Sequence, residues 1–261
     1  MIKQKLWIYS LCYNEIHFVR NFFTAYKDAD RITLYEGNSN DGTTELAKSL
    51  GMKIIQVDTG NQLRDDIFTD IKNNCWKEAR GRADWVIVVD FDEIFTRMVK
   101  TGDDVVYDLD LFEPYKQGFN VIKPYGYNMI SSDAPSFTTD HPFKHCQKGT
   151  YHPPAEKLCC FRPDQISEIN YNAGAHLADP FDMNGSRDGV RIYHNKDYKL
   201  LHFKAWNYKL YIQRMAMGRD RLSDLNKRNG WGYQYLNTDE QNSGQFFSGL
   251  NIAKNIFDIE I

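Results

Sequence analysis

A buried strand that ends in carboxylates is the feature that most constrains this chain. The five apolar residues Trp85 to Val89 run directly into Asp90, Asp92 and Glu93. A short continuous run rich in β-branched residues predicts a strand that is buried on both faces. Residues two apart in an extended chain point to the same side, so the first two carboxylates are expected to converge. Such a pair suits a hard divalent cation that shares its ligands with substrate phosphates, whereas a merely solvated acidic loop is the alternative.

Strand and helix patterns alternate through the first hundred residues and set the fold class. Apolar runs predict strands at 6–12, 31–35, 52–57 and 85–89, separated by helix-period segments at 14–28, 43–50 and from about 64 to 80. This order predicts an α/β fold with a mostly parallel central sheet, right-handed crossovers and flanking helices. Because ligands of such sheets bind beyond the carboxyl ends of the strands, the polar segments 13–15, 36–41 and 90–93 are expected to converge at one edge.

The regular alternation stops after about residue 105. Shorter extended segments, prolines and many aromatic residues follow, and one helix, or two joined near Gly218, is expected over 205–228. A polar tail from Asn229 precedes a last apolar stretch at 252–261. Because no repeat or linker interrupts the chain, we expect a single domain over 1–261.

Composition narrows the class of protein. Hydrophobic residues make up 42% and charged residues 26%, and the net charge of −3 argues against a nucleic-acid partner. The five cysteines lack the spacing of a zinc site or a disulfide framework.

The beginning of the chain bears on its location. Apolar residues 6–13 run directly into Asn14 and Glu15 without a cleavage site, which predicts a first strand rather than a signal peptide. We therefore expect a cytoplasmic protein. Aromatic and basic residues in the helix from Ala205 leave open a peripheral contact with the inner face of a membrane.

Three motifs resemble those of family 2 glycosyltransferases, which have the GT-A fold. Residues 12–15 (C-Y-N-E) resemble the Y-N-E signature, 36–43 (E-G-N-S-N-D-G-T) resemble the D-D-x-S-x-D-G-T turn, and 90–93 (D-F-D-E) resemble the D-x-D-E metal motif. They occur in the family's order and at its usual separations. The resemblance implies a metal-dependent, inverting transfer of a sugar from a nucleoside-diphosphate sugar to a glycan or lipid-linked saccharide. Residues up to about 105 would bind the donor, and residues from about 106 to 261 the acceptor.

The same resemblance implies roles for individual residues. Asp92 would be the most direct ligand of Mn²⁺ or Mg²⁺, with Asp90 binding the metal or the sugar. Glu36, one methylene longer than the family's usual aspartate, would contact the base and ribose. The donor's nucleotide would lie against the residues that follow the first strand, namely Cys12, Tyr13, Asn14 and Glu15.

The second half resembles a branch of this family more weakly, at residues 157–163, 172–176 and 200–204. The last of these (L-L-H-F-K) resembles an H-[YF] element before a helix, which makes His202 a candidate third metal ligand. Lys204 and Arg214, at or just beyond this element, are candidates to neutralise phosphate.

The family's general-base motif has no match in this chain. Glu156 is our choice of catalytic base, because it directly precedes the segment 157–163 in the acceptor half. Asp133 and His176 are its rivals.

Two other functions remain as alternatives. A nucleotidyltransferase of related α/β architecture would carry a glycine-rich, basic phosphate loop after the first strand, and residues 11–17 contain no glycine. A carbohydrate-binding protein that has lost the chemistry would keep the fold, and the intact Asp90, Asp92 and Glu93 argue against it.

Overall fold

The computed structural model describes residues 4–102, 104–135 and 138–261. Short 3-10 turns, the longest of them Cys75–Ala79, connect several of the elements. None of the helices within these ranges combines the length and apolar character needed to cross a bilayer. In chain order the strands and α-helices are β1 (Leu6–Cys12), α1 (Val19–Tyr26), β2 (Arg31–Glu36), α2 (Thr43–Ser49), β3 (Lys53–Gln56), α3 (Asp65–Asn74), β4 (Trp85–Asp90), β5 (Glu93–Thr101), β6 (Asp104–Asp108), α4 (Phe112–Lys116), β7 (Val121–Ile130), β8 (Lys148–Tyr151), β9 (Cys160–Phe161), β10 (Ile166–Glu168), β11 (Phe181–Asp182), β12 (Ile192–Ala205), α5 (Tyr208–Arg221), α6 (Asp224–Asn229), α7 (Asp239–Ile252) and β13 (Lys254–Asn255).

One large sheet receives strands from both halves of the chain. Its first part has the order β3-β2-β1-β4, and all of these neighbours are parallel. Beyond β4 the sheet continues through β9, β7, β12, β5 and β6, and in this part only β7 and β12 pair in parallel among the described residues. The predicted α/β fold with flanking helices is confirmed. The parallel strands β1 to β4 are those that the alternating pattern indicated, whereas the parallel pair of β7 and β12 was not predicted.

The core explains where β4 ends. Val86 and Val88 pack on one face of the sheet with Trp76, whereas Ile87 and Val89 pack on the other with Phe22, and all six side chains are buried. Burial of each such aliphatic side chain contributes about 1.5–3 kcal/mol. The strand is therefore firmly fixed, and its carboxyl end carries the acidic residues to the sheet edge.

The first helix is shorter than the predicted segment 14–28. The backbone N–H of Glu15 donates to Thr43 Oγ1 at 2.8 Å, and that of Ile16 donates to Asp41 Oδ2 at 3.0 Å. These bonds tie the chain after β1 to the loop after β2, so the helix begins only at Val19. Tertiary hydrogen bonds have here replaced the first helical turn.

The second half departs further from the sequence expectation. β12 is 14 residues long and begins well before the segment 200–204, for which the sequence showed only the resemblance to an H-[YF] element. Gly218 lies inside α5, where a side chain would collide with the ring of Tyr235, and the helix instead ends at Arg221. α7 occupies much of the expected polar tail, and its first turn is closed by a capping box between Thr238 and Gln241.

His141 makes a pH-dependent contribution to folding. Burial lowers the pKa of its imidazole to about 4. Its ring stacks on Tyr107 with centroids 4.0 Å apart, and Nδ1 accepts the N–H of Phe143 at 3.3 Å. The unfolded chain has the ordinary pKa of about 6.5, so it binds a proton at a higher pH than the folded chain does. The contribution is therefore complete above pH ~6.5 and is lost as the pH falls towards ~4.

His141→Asn tests this contribution, because the amide oxygen can accept the same N–H but does not titrate. Between pH 7 and pH 4 we expect the wild type to lose up to about 3 kcal/mol more unfolding free energy than the variant. Urea unfolding at several pH values measures the difference. An identical pH dependence in both proteins would contradict the assignment.

Candidate functional site

A cavity of about 420 Å³ opens beyond the carboxyl ends of β1, β2 and β4. Its walls come from the segments after these strands, from α3 and α5, and from the segments 173–176 and 230–235. The structure thus brings the ends of the predicted parallel strands together at one edge. Ligands of such sheets bind at this edge, so the cavity is the candidate functional site.

Two buried lysines hold Asp90. Lys72 Nζ lies 2.6 Å from Asp90 Oδ1, and Lys157 Nζ lies 3.1 Å from Asp90 Oδ2. Lys157 Nζ also lies 2.6 Å from Glu93 Oε1, and the Glu93 carboxylate accepts the backbone N–H of Asp90 at 3.1 Å. Both lysine side chains are less than a tenth exposed. The strand end is therefore braced by ion pairs whose ammonium groups are shielded from water.

These ion pairs keep Asp90 and Lys157 charged. Burial by itself would raise the pKa of Asp90, but the ammonium groups of Lys72 and Lys157 lower it well below its usual range. In the same way Glu93 and Asp90 raise the pKa of Lys157 against the effect of burial. Since both oxygens of Asp90 are engaged by lysines, this geometry does not support the expectation that Asp90 is a metal ligand.

Asp92 points to a different set of partners. Its Oδ2 lies 3.1 Å from His202 Nε2, and the other ring nitrogen, Nδ1, lies 3.1 Å from Asn128 Oδ1. The amide oxygen of Asn128 can only accept, so Nδ1 carries its proton and Nε2 faces the carboxylate. Burial would lower the pKa of His202, but Asp92 raises it.

Arg214 of α5 contacts the same carboxylate. Its guanidinium pairs with Asp92 Oδ2 and with Glu15 Oε1, and all three side chains are less than a fifth exposed. Burial would raise the pKa of Asp92, but His202 and the other cations nearby lower it, so the carboxylate is ionised. α5 is thereby tied to the ends of both β1 and β4.

The donor atoms at Asp92 fit a divalent cation in part. Two ligands at right angles, each about 2.1 Å from an ion, lie about 3 Å apart, which matches the separation of Asp92 Oδ2 and His202 Nε2. Asn128 supplies the second hydrogen bond that orients a ligating imidazole. Across the residues that the structure describes, no group of three His, Cys, Asp or Glu side chains forms a more complete metal site. The pair can thus hold a cation that takes its remaining ligands from substrate and water.

The first motif divides between the cavity and the loop behind it. Cys12, Tyr13 and Glu15 line the cavity, and Tyr13 Oη donates to Asn61 Oδ1 at 3.0 Å. Asn14 instead joins two loops, since its backbone N–H donates to Ser39 Oγ at 2.8 Å. Asn14 is therefore a positioning residue.

Glu36 also stabilises the loop that follows β2. Its carboxylate accepts the backbone N–H groups of Asn38 and Ser39, and its side chain is buried. It is not among the described residues that line the cavity, whereas Gly37 is. The geometry thus gives Glu36 a turn-stabilising role in place of the base contact that the resemblance implied.

The candidate bases occupy distinct places. Glu156 accepts from Tyr151 Oη at 2.5 Å and pairs with Lys123 Nζ at 2.8 Å, away from the described cavity lining. Burial would raise its pKa, but these two partners lower it. Asp133 accepts from Ser131 Oγ at 3.0 Å within a turn that is likewise outside the described lining.

His176 does line the cavity. Its Nδ1 lies 2.8 Å from the carbonyl oxygen of Pro154, which can only accept, so Nε2 is left with its lone pair. Burial lowers the pKa of His176 and keeps the ring neutral near pH 7. Gly174, with φ of 77°, leaves the room that this ring needs, because a side chain there would press on His176 Cδ2.

Sequence reasoning missed several residues that line the cavity. Lys72 sits on an amphipathic helix, where the sequence does not distinguish a buried lysine from a solvated one. Lys157 was noted only as part of a resembling segment. Trp231 lies between Gly230 and Gly232, and Tyr233 follows Gly232; both glycines have positive φ. This alternation of glycine and aromatic residues is a sequence signal for a turn that presents aromatic side chains. Lys204, which was predicted, lines the cavity and lies over the ring of Tyr235.

No family model matches the chain, and no curated protein matches it either. Among solved structures, it is similar to glucosyl-3-phosphoglycerate synthase from Mycobacterium tuberculosis in complex with Mn²⁺, UDP and phosphoglyceric acid, with 13% identity and a TM-score of 0.31 over 47% of this chain and 43% of that chain. The same synthase with Mg²⁺ and UDP gives 13% identity and a TM-score of 0.31, covering 47% and 44%. A structure described as a mycobacterial protein gives 14% and 0.29, covering 48% and 42%. The chain spans less than half the length of these proteins.

Lys157→Ala tests the buried ion pairs. The substitution leaves carboxylate oxygens of Asp90 and Glu93 without a cation in buried surroundings, and we expect a loss of about 3–5 kcal/mol of unfolding free energy. Lys144→Ala is the matched control, because it removes an exposed pair with Asp140 and should cost less than about 1 kcal/mol. Urea unfolding at neutral pH measures both values. Equal losses would contradict the account.

Proposed function

We propose that the protein is a metal-dependent glycosyltransferase that takes its sugar from a nucleoside-diphosphate donor. The observation that carries this proposal is the pair formed by Asp92 and His202, oriented by Asn128 and open to the cavity. The motif resemblance at residues 12–15, 36–43 and 90–93 points to the same chemistry. The order and spacing of these motifs in the sequence and the geometry of the cavity in the structure are independent observations.

Asp92 and His202 would hold the Mn²⁺ or Mg²⁺ ion. When bound, the ion stabilises the negative charge that develops on the departing diphosphate. Lys204 lines the same cavity and supplies a further positive charge for phosphate oxygens. Lys72 and Lys157 hold Asp90 in place. Its fixed carboxylate would accept hydrogen bonds from the hydroxyl groups of the donor sugar.

The nucleotide would occupy the part of the cavity next to Tyr13. This ring is joined in the cavity wall by the apolar side chains of Val57, Leu63 and Phe68. A base can stack on an aromatic face, and the apolar neighbours exclude water from its edges. Cys12 lines the same region, and burial raises the pKa of its thiol, which keeps it neutral.

His176 is our proposed proton acceptor. An inverting transfer forms a bond from the acceptor hydroxyl oxygen to the anomeric carbon as the bond to the diphosphate oxygen breaks. The hydroxyl proton then needs a base, and a neutral imidazole with a free Nε2 can take it. Glu156 is less suited, because Lys123 and Tyr151 already engage its carboxylate.

Aromatic residues favour a saccharide as acceptor, as in a glycan or a lipid-linked sugar. Trp231 and Tyr233 line the cavity, and Tyr233 is 74% exposed. Such rings offer apolar faces together with polar edges, which suits a sugar ring. The backbone N–H of Tyr235 donates to the carbonyl of Gly232 at 2.9 Å, so this segment is preformed.

Asp92→Asn tests the metal-dependent transfer. We expect at least about a 100-fold loss of kcat/KM for donor hydrolysis or transfer, because the ion's stabilisation of the leaving group is worth several kcal/mol. The assay uses a panel of UDP- and GDP-sugars with Mn²⁺ or Mg²⁺, preceded by a thermal-shift screen of the same ligands.

Asp179→Asn is the matched control, since it alters an exposed aspartate outside the cavity lining in the described chain. Activity that survives a chelator and the Asp92 substitution would contradict the proposal. Stabilisation by a nucleotide without metal, and without turnover of any donor, would instead favour a carbohydrate-binding protein.

His176→Gln tests the proton acceptor. We expect kcat for transfer to fall by about 10²–10⁴-fold, because the base no longer removes the acceptor proton. The KM for the donor should stay close to that of the wild type. Glu156→Gln should lower kcat only a few-fold, and the reverse order of effects would assign the role to Glu156.

A further inference from the structure

Arg214 holds the carboxylate that the proposed metal site requires. Its guanidinium contacts Asp92 Oδ2, the same oxygen that faces His202 Nε2. The second contact, to Glu15, places the guanidinium between two buried acidic groups. Arg214 is thus the counter-ion of the carboxylate that is proposed to bind the metal.

α5 carries a second cation on the same face. Arg221 follows Arg214 by seven residues, which is two helical turns. Its guanidinium lies 3.2 Å from the centroid of the Tyr13 ring, and its Nε donates to the carbonyl of Asn61 at 3.1 Å. One face of α5 therefore covers both the aromatic side chain proposed for the base and the carboxylate proposed for the metal.

A divalent cation and a guanidinium compete for Asp92. Like charges at contact distance repel, most strongly where protein excludes water. A diphosphate changes this balance, because it carries two negative charges and its oxygens can accept two parallel N–H groups of the arginine guanidinium. Binding of metal alone displaces Arg214 from Asp92 and leaves it paired only with Glu15, whereas binding of metal with diphosphate gives the guanidinium a new anionic partner.

We propose that Arg214 couples metal binding to diphosphate binding by moving from Asp92 to the diphosphate. This inference rests on the proposed function, since it takes Asp92 as a metal ligand. Without nucleotide, Arg214 weakens the affinity for metal. With nucleotide, it strengthens the complex, and linkage requires that metal and nucleotide each raise the affinity for the other.

Arg214→Gln gives two effects of opposite sign. Mn²⁺ alone should bind about five-fold or more tightly than in the wild type, because the competing charge is gone. UDP in the presence of Mn²⁺ should bind more weakly, because the diphosphate has lost its partner. Electron paramagnetic resonance of free Mn²⁺ measures the first affinity, and calorimetry with UDP measures the second. A residue with only a structural role would weaken both.

Two other variants make the result specific. Arg214→Lys retains the charge and should keep the affinity for Mn²⁺ near that of the wild type. Arg187→Gln removes an exposed arginine–aspartate pair outside the described lining of the cavity and should change neither affinity. Circular dichroism and thermal melting confirm that each variant is folded.

The outcomes separate this inference from the proposed function. If Asp92→Asn abolishes Mn²⁺ binding but Arg214→Gln leaves it unchanged or weaker, the coupling is wrong and the metal site stands. If Asp92→Asn binds Mn²⁺ as the wild type does, both are wrong. Tighter Mn²⁺ binding with weaker UDP binding in Arg214→Gln supports the coupling.

Discussion

The carboxylates at the end of β4 and just beyond it lie in a part of the protein where an unpaired charge is costly, and each is paired with at least one cation. β4 is buried from Trp85 to Val89. Water therefore contributes little to the solvation of Glu93, whose side chain is 2% exposed, and only part of the solvation of Asp90, whose side chain is 33% exposed. Lys72 and Lys157 replace that solvation and fix the turn that follows. This bracing sets the direction in which Asp92 leaves the strand, and the rest of the cavity is built around it.

The division of labour between the two aspartates follows from these partners. Each carboxylate oxygen of Asp90 faces an ammonium group, whereas Asp92 faces an imidazole and a guanidinium. An imidazole can exchange its proton for a metal, and a guanidinium can exchange one anion for another. The groups that can exchange their partners therefore lie at Asp92, whereas Asp90 is held in a fixed position.

Local patterns predicted the parallel half of the sheet because its strands are continuous apolar runs. The sequence also indicated Asp92, His202 and Lys204, which the structure brings to one cavity. Helix starts were less predictable, since the hydrogen bonds that delay α1 come from residues that follow β2.

The roles of the remaining site residues depend on distant parts of the chain. The sequence around Glu36 does not show that its carboxylate accepts hydrogen bonds from the backbone of the turn that follows it. Lys72 and Lys157 are 85 positions apart by their numbering, and only the fold reveals that both reach Asp90. Gly218 looked like a helix break, whereas it is a packing site for Tyr235. Such contacts carry no local sequence signal.

The most direct measurement of the central claim is the position of the metal. A crystal grown with Mn²⁺ and UDP, with data collected at a wavelength where manganese scatters anomalously, would locate the ion without reference to activity. We predict one anomalous peak about 2.1–2.2 Å from both Asp92 Oδ2 and His202 Nε2. A peak held by Asp90 instead, or nucleotide bound in the cavity with no ion beside Asp92, would contradict it.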